Sequence, residues 1–310
     1  MKGEILTHRK VFIVTGSSAG IGAKLATILY SKNAKIYIAA RSESKALRTI
    51  DGIKAEHPKS NGQLIFLHLD LNDLTTIKKS ADEFLANEAR LDVLWNNAGV
   101  MVPPQGSKTA QGYELQLGTN CLAPFLFTHF LRPVLVETAK TAPPNTVRVV
   151  WVSSSAAEFA PKPPIDFSNM DYHIDEGIWN KYMRSKAGNV LHAAEFARRV
   201  KNEGVISLVG RLQELKKDIA DRPAESQPGK FEDRSDKDHT LVAKGCARMF
   251  DCLFSSSLHI PNLAMIENLI DGRASSSMSR SKARTLSYLP VLMQASQVRT
   301  TVAGVRLPLN

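Results

Sequence analysis

The sequence predicts an α/β protein built on a doubly wound parallel sheet, and three observations predict it. Strand-length aliphatic runs alternate with segments of helical period through the first two thirds of the 310-residue chain. A glycine-rich turn sits directly between the first strand and the first helix. Strands separated by helices need right-handed crossovers, which yield a parallel sheet covered on both faces.

The elements follow in order. VFIVT (11–15) is the first strand. After the turn, IGAKLATILYSKNA places Ile21, Leu25, Ile28 and Leu29 at helical spacing. KIYIAA (35–40) is the second strand; a polar helix follows, closed by a loop at Pro58 and Gly62. QLIFLHLDL (63–71), LDVLWNNAG (91–99), TVRVVWVSS (146–154) and VISLV (205–209) are further strands, with helices near 73–90, 112–138 and 178–203. No internal repeat is visible. Beyond 209 the pattern weakens. Residues 211–240 are mostly polar and charged, read as a short helix and a loop, and 241–270 has room for one or two helices. From Gly272 onward there are six basic and no acidic residues, starting in the Ser-rich SSSMSRSKAR, which reads as flexible or loosely docked.

Composition narrows the functional classes. With 43% apolar and 23% charged residues the chain is an ordinary globular protein. Its net charge of +10 is spread out: residues 1–200 carry 24 basic and 18 acidic side chains, 201–310 carry 16 and 12. That is a solvated basic surface, so no nucleic-acid partner is expected, and binding through the basic tail is the weakest idea. Cys121, Cys246 and Cys252 form no CxxC pair, which fits a reducing compartment. MKGEILTHRK has no apolar core of a signal peptide, and no run of about 18 uncharged apolar residues predicts a membrane span. RLPLN is no peroxisomal or prenylation signal. A cytoplasmic protein is expected. His129 and His192 have no metal-ligand spacing and read as packing or surface groups; no metal is expected.

The turn T-G-S-S-A-G-I-G (Thr15–Gly22) carries the first functional signal. Glycines there permit a tight turn and let a pyrophosphate approach the backbone, while the helix N-terminus offers N–H groups and a positive dipole end. Gly16, Ser18, Gly20, Ile21 and Gly22 are the candidate phosphate-binding residues of a dinucleotide site; the alternative is a tight turn without a ligand. At the end of the second strand stand Ala40 and Arg41 rather than an acidic residue that would bond a ribose 2′-hydroxyl. A guanidinium suits a 2′-phosphate, so NADP(H) is the expected cofactor, with a solvated arginine as the alternative. Asp70 is either an adenine-edge contact or a turn carboxylate. Asn96 and Asn97, in NNAG, put short amides at the carboxyl edge of the sheet, where ligands bind in this architecture; Asn97 is the candidate cofactor contact.

Tyr182 and Lys186, in Y-M-R-S-K, are i and i+4 and share a helix face. A cation beside a phenol lowers its pKa from about 10, and a phenol so tuned exchanges a proton with a carbonyl or alkoxide near neutral pH. Ser154, in VSSS, could donate to the same carbonyl oxygen, with Ser153 as the one-residue alternative. Asn120, in LGTNCLAPF, occupies a helical stretch where Asn is a poor helix former. Phe159, Phe167 and Trp179 line a lipophilic pocket or simply pack; PPQ (103–105) and PKPPIDF (161–167) read as loops over the site mouth.

Together TGSSAGIG, Asp70, NNAG, Asn120, Ser154 and YMRSK resemble the short-chain dehydrogenase/reductase family in order and interval, over about residues 8–209. The NNAGVM wording and the long loop before YMRSK are most similar to its retinol-dehydrogenase-like and fungal-type NADP-dependent branches. The resemblance implies a Rossmann fold, with 1–209 as the dinucleotide-binding catalytic domain and 210–310 as a divergent C-terminal region, a substrate lid or a partly disordered tail. It implies Tyr182 as general acid in reduction and base in oxidation. Lys186 would lower the tyrosine's pKa and hold the ribose, and Ser154 would polarise the carbonyl. Asn120 would keep a water linking Lys186 to solvent. It implies an oxidoreductase acting between NADP(H) and a small lipophilic ketone, aldehyde or alcohol, in one setting a tailoring step of specialised metabolism. A homodimer or homotetramer is plausible by the same resemblance. Of the family's Pro-Gly turn and nearby Thr after the sixth strand, Gly210 is a candidate match, while the Pro and the Thr are missing from Gly210-Arg211-Leu212-Gln213-Glu214. A divergent lid, an altered reading of the C-terminal third (a shifted frame or a retained intron) and a degenerate enzyme all account for that. The competing function is therefore an NADP(H)-binding sensor or interaction module without catalysis.

Overall fold

The computed structural model describes residues 10–211. Six parallel strands form one sheet in the order β3-β2-β1-β4-β5-β6. They are β1 (Val11–Thr15), β2 (Lys35–Ala40), β3 (Gln63–His68), β4 (Val93–Asn96), β5 (Val147–Ser153) and β6 (Val205–Arg211). The crossover helices are α1 (Gly20–Tyr30), α2 (Glu43–Glu56), α3 (Leu74–Asn87), the short α4 (Leu115–Leu117), α5 (Ala123–Thr141) and α6 (Ile178–Arg199). The doubly wound parallel sheet expected from sequence is the fold found, and the strand order reverses between β1 and β4. In such sheets a ligand crevice opens at that reversal, beyond the carboxyl ends of the strands.

Alternation along buried strands explains both faces. On one, Phe12, Val14, Ile36, Ile38 and Leu64 pack with Ala26, Tyr30, Ile50 and Ile53 of α1 and α2. The opposite face carries Ile13, Leu94 and Trp151, all fully buried. Each fully buried aliphatic of this kind contributes about 1.5–3 kcal/mol.

Details of α1 and of three strands differ from the sequence reading. The stripe expected on α1, Ile21, Leu25, Ile28 and Leu29, is only partly buried; the fully buried positions are Gly22, Ala26, Thr27 and Tyr30. Small residues face the strands and let the helix approach closely, while Leu25 and Leu29 flank the core. The run expected as strand 63–71 leaves the ladder after His68, because Asp70 accepts from the Asn72 amide at 2.9 Å and turns the chain. In the run 91–99, only Val93–Asn96 is strand. The Asp92 carboxylate before it is fully buried, accepting from the Val11 amide at 2.9 Å and from Arg90 at 2.6 and 2.8 Å. β6 runs to Arg211, two residues past the end expected for it. The expectations for 212–310, including the Ser-rich tail, lie outside the described residues.

Candidate active site

The crevice is flanked by two differently built halves. On the first, β1 delivers the chain into the glycine turn. Gly22 is packed tightly: a Cβ there would stand 2.6 Å from the Gly16 carbonyl oxygen and 2.7 Å from the Asn97 amide nitrogen. Gly20 is the reverse case, with φ +61° and nothing within 4 Å of a Cβ position. The N-terminus of α1 has no side-chain cap at Ala19 and no acidic residue in its first turn. An uncapped helix start beside an open, left-handed glycine fits an anionic phosphate group. Ser18 is half-buried, and its carbonyl takes the Thr49 hydroxyl at 2.8 Å, which ties α2 to the turn. Ile21 is half-buried beside Gly20, and Arg41 is exposed immediately after β2.

Thr15 links this half to the next strand. Its hydroxyl accepts from the amides of Asn97 and Ala98, both at 3.0 Å, and donates to the Trp95 carbonyl at 3.2 Å. The Asn97 side chain donates to the Thr15 carbonyl at 2.9 Å, so its amide nitrogen braces β1 to β4. Through one carboxylate oxygen Asp70 makes the turn contact, and the adenine-edge reading is compatible with it.

The second half is a buried side-chain network on β5, α6 and one turn of π-helix. Tyr182 is 3% exposed, and the Ser154 hydroxyl hydrogen-bonds its phenol. Ser153 instead donates to the Lys186 carbonyl at 2.7 Å, so of the two candidate serines only Ser154 reaches the phenol. The Lys186 ammonium donates to the Val152 carbonyl at 3.1 Å and lies 5.9 Å from the Tyr182 ring centre. Asn120 sits in the π-turn Gly118–Leu122, a wide turn often found at functional sites. Its amide exchanges two bonds with the Val100 backbone, at 2.8 and 2.9 Å, and donates to the Ser185 hydroxyl at 2.9 Å. A Cβ on Gly99 would lie 3.1 Å from the Asn120 oxygen and 3.4 Å from the Lys186 nitrogen, so backbone, amide and ammonium converge at one point.

The electrostatics differ from the expected tuning. Burial raises the Tyr182 pKa, opposed by the Ser154 hydrogen bond. Lys186 is itself pushed down to about 8 by burial, with the Cys121 thiol acting the other way. The phenol is thus held protonated rather than acidified by Lys186, whose nitrogen is directed at a backbone carbonyl. Burial also pushes the Cys121 thiol up to about 12 and His192 down to about 4. His192 is half-buried, stacked on Phe125 and tilted against Trp151, each 5.3 Å away, and is a packing group, one of the two readings open for it.

Ser185 is the principal site residue the sequence reading passes over. It donates to the Tyr182 carbonyl at 2.8 Å, accepts from Asn120, and its own carbonyl accepts the Cys121 thiol at 2.9 Å. Its place three residues after Tyr182 was a signal that it shares the buried helix face. Phe159, Phe167 and Trp179 are exposed, and Trp179 sits edge-on to Tyr182 with ring centres 6.2 Å apart. Among the described residues no group of three His, Cys, Asp or Glu is arranged to hold a metal, and no helix is long and apolar enough to cross a membrane.

Comparison with known proteins bears on this geometry. The family model described as short chain dehydrogenase matches residues 10–163. The chain is 59% identical over 195 residues to the short-chain dehydrogenase/reductase pkfC of Emericella nidulans, a match covering 63% of this chain and 62% of that protein. It is 45% identical over 215 residues to the short-chain dehydrogenase/reductase sthC of Phaeosphaeria nodorum, covering 68% of each. Thus the chain spans 62% of the Emericella relative, less than two thirds of its length. Among solved structures, an uncharacterized protein from Mycobacterium paratuberculosis superposes with a TM-score of 0.54 at 27% identity, covering 82% of this chain and 78% of that one.

Proposed function

The chain belongs to the short-chain dehydrogenase/reductase family, and from that premise we propose that it is an NADP(H)-dependent reductase of small lipophilic ketones or aldehydes. One contact carries the reading: the Ser154 hydroxyl on the Tyr182 phenol, with Lys186 one helical turn away. A carbonyl oxygen placed between the two hydroxyls would accept from both. The phenol then gives its proton as negative charge develops on that oxygen. A phenol kept protonated by burial is in the state that proton donation to the carbonyl oxygen needs. Lys186 would hold the ribose side of the site, and Asn120 donates to Ser185, whose hydroxyl bonds the tyrosine's carbonyl.

The residues present fit a dinucleotide. Gly16, Ser18, Gly20, Ile21 and Gly22 would hold its pyrophosphate on the uncapped start of α1, and Asn97 and Asp70 would stand at its ribose and adenine ends. Exposed Arg41 would pair a 2′-phosphate, which supports NADP(H) over NAD(H). Bound there, the cofactor supplies the hydride; the protein supplies alignment and the proton. The test is cofactor oxidation by the full chain with a panel of aliphatic and aromatic carbonyls, using NADPH and NADH in parallel. Turnover with NADPH is expected. Tight NADPH binding without turnover on any carbonyl would instead favour the sensor or interaction module.

A further inference from the structure

We propose that Arg184, inside the Y-M-R-S-K stretch, is a positioning residue that clamps segment 160–177 across the crevice mouth and limits which substrates reach Tyr182. The proposal rests on the reductase reading. Two residues from Tyr182, Arg184 points about 200° around the helix from it. Its side chain is nonetheless only 10% exposed, because the segment covers it. Nε donates to the Glu176 carboxylate at 2.8 Å, and Nη1 donates to the Pro163 carbonyl. One guanidinium therefore grips both ends of the segment.

Further ties act at the Glu176 end. Lys181, buried, donates to Asp175 at 2.6 Å and lies 5.1 Å over the Tyr172 ring. Gln105, on the loop after β4, donates to the two Asp175 oxygens at 3.1 and 2.9 Å and to the Glu176 carbonyl at 3.2 Å. Within the segment, Asn169 braces Ile174 through paired bonds of 2.8 and 2.9 Å. So fixed, the segment presents Phe167 and Ile174, 51% and 64% exposed. Exposed apolar groups held by ion pairs under a loop suit contact with an apolar substrate rather than plain packing. A planar guanidinium holds its donors in a rigid fork that spans two separated acceptors, a geometry the compact ammonium of a lysine does not reproduce.

The test compares Arg184→Met, Arg184→Lys and Glu176→Gln in the full chain. Amide hydrogen exchange over residues 163–177 should quicken about tenfold or more in Arg184→Met and Glu176→Gln, while β1 and β4 keep their protection. KM for a bulky carbonyl should rise about tenfold, with kcat for the smallest carbonyl within about twofold of the unaltered chain. Arg184→Lys should restore part of both. Unchanged exchange in folded variants would overturn the clamp. Faster exchange with KM unchanged, or raised equally for small and bulky carbonyls, would overturn the gating role. If Arg184→Met does not fold, Glu176→Gln carries both readouts. Should the unaltered chain reduce no carbonyl, the reductase reading fails, and the exchange measurement still decides the clamp.

Discussion

The glycine-turn half of the crevice and the tyrosine half are built from opposite materials. The first is backbone: an uncapped helix start, an open Gly20 and an exposed Arg41. The second is side chain, with Asn120, Ser154, Tyr182, Ser185 and Lys186 each 5% exposed or less. A backbone surface facing open space can meet a charged group that keeps its water until it docks. A buried polar network has already lost its water, so every member needs a partner and every charge is displaced from its usual pKa. The first half should therefore respond to substitution through shape, and the second through protons.

The largest effect expected is on the second half. Tyr182→Phe removes the proposed proton donor while keeping the ring against Trp179. It should lower kcat/KM about a hundred- to ten-thousandfold, about 3–5 kcal/mol of barrier, with cofactor affinity little changed. Steady-state kinetics beside a cofactor titration checks both. An unaltered rate would remove tyrosine from the chemistry and the distinction between the halves with it.

Next in size is a contrast inside the glycine turn. Gly22→Ala drives a methyl into the Gly16 carbonyl and the Asn97 amide, at 2.6 and 2.7 Å. It should cost about 1–3 kcal/mol of stability, read by denaturant unfolding. Gly20→Ala meets nothing and bears only its left-handed backbone, φ +61°, about 1 kcal/mol. Its larger effect should fall on dinucleotide affinity. If Gly20→Ala unfolds the chain and Gly22→Ala does not, the turn is not shaped for a ligand.

Much of this was legible in the sequence, for a physical reason. Parallel strands buried on both faces leave near-continuous aliphatic runs, so VFIVT and KIYIAA were found to the residue. The 63–71 run overshot because Leu69 and Leu71 are buried beyond the strand, and apolar pattern reports burial rather than ladder pairing. The candidate-site residues were legible as types at spacings, but their charges were not. Spacing places Lys186 one turn from Tyr182; it does not reveal that the Val152 carbonyl holds the ammonium or that burial outweighs it. Ser185 and Arg184 lay in plain view inside the motif. Their partners, Asn120 and Glu176, come from other parts of the chain, which spacing cannot show.

Behind the tyrosine half, His192 tests what burial does to protons. It is held down at about 4 by burial between Phe125 and Trp151, against the hydrogen bond to the Cys121 carbonyl. Its folded pKa lies below its ordinary 6.5, so the unfolded chain binds the proton more readily between those values. Stability should fall by about 2–3 kcal/mol from this residue alone as pH drops through that window. His192→Phe keeps a ring in the stack and should flatten that part of the pH dependence in chemical denaturation. Parallel curves for the two proteins would mean the imidazole titrates alike in the folded and unfolded chain.

Lys186 works the same principle in the opposite functional sense, with a smaller effect on stability than His192. Its folded pKa of about 8 lies below the ordinary 10.5, so at neutral pH the fold carries a buried ammonium that water would solvate better. Between those two values the unfolded chain holds more protons, and stability should climb as pH rises through the window. Lys186→Met keeps the volume and leaves the Val152 carbonyl with its second donor, Asn189, at 3.2 Å. The variant should be more stable than the unaltered chain at pH 7 by about 1–2 kcal/mol, while losing most activity. A gain in unfolding midpoint with a loss of turnover would show the tyrosine half keeping a destabilising charge for its chemistry. A loss of both would mean the ammonium is part of the packing, and the contrast between the two halves would then rest on Tyr182 alone.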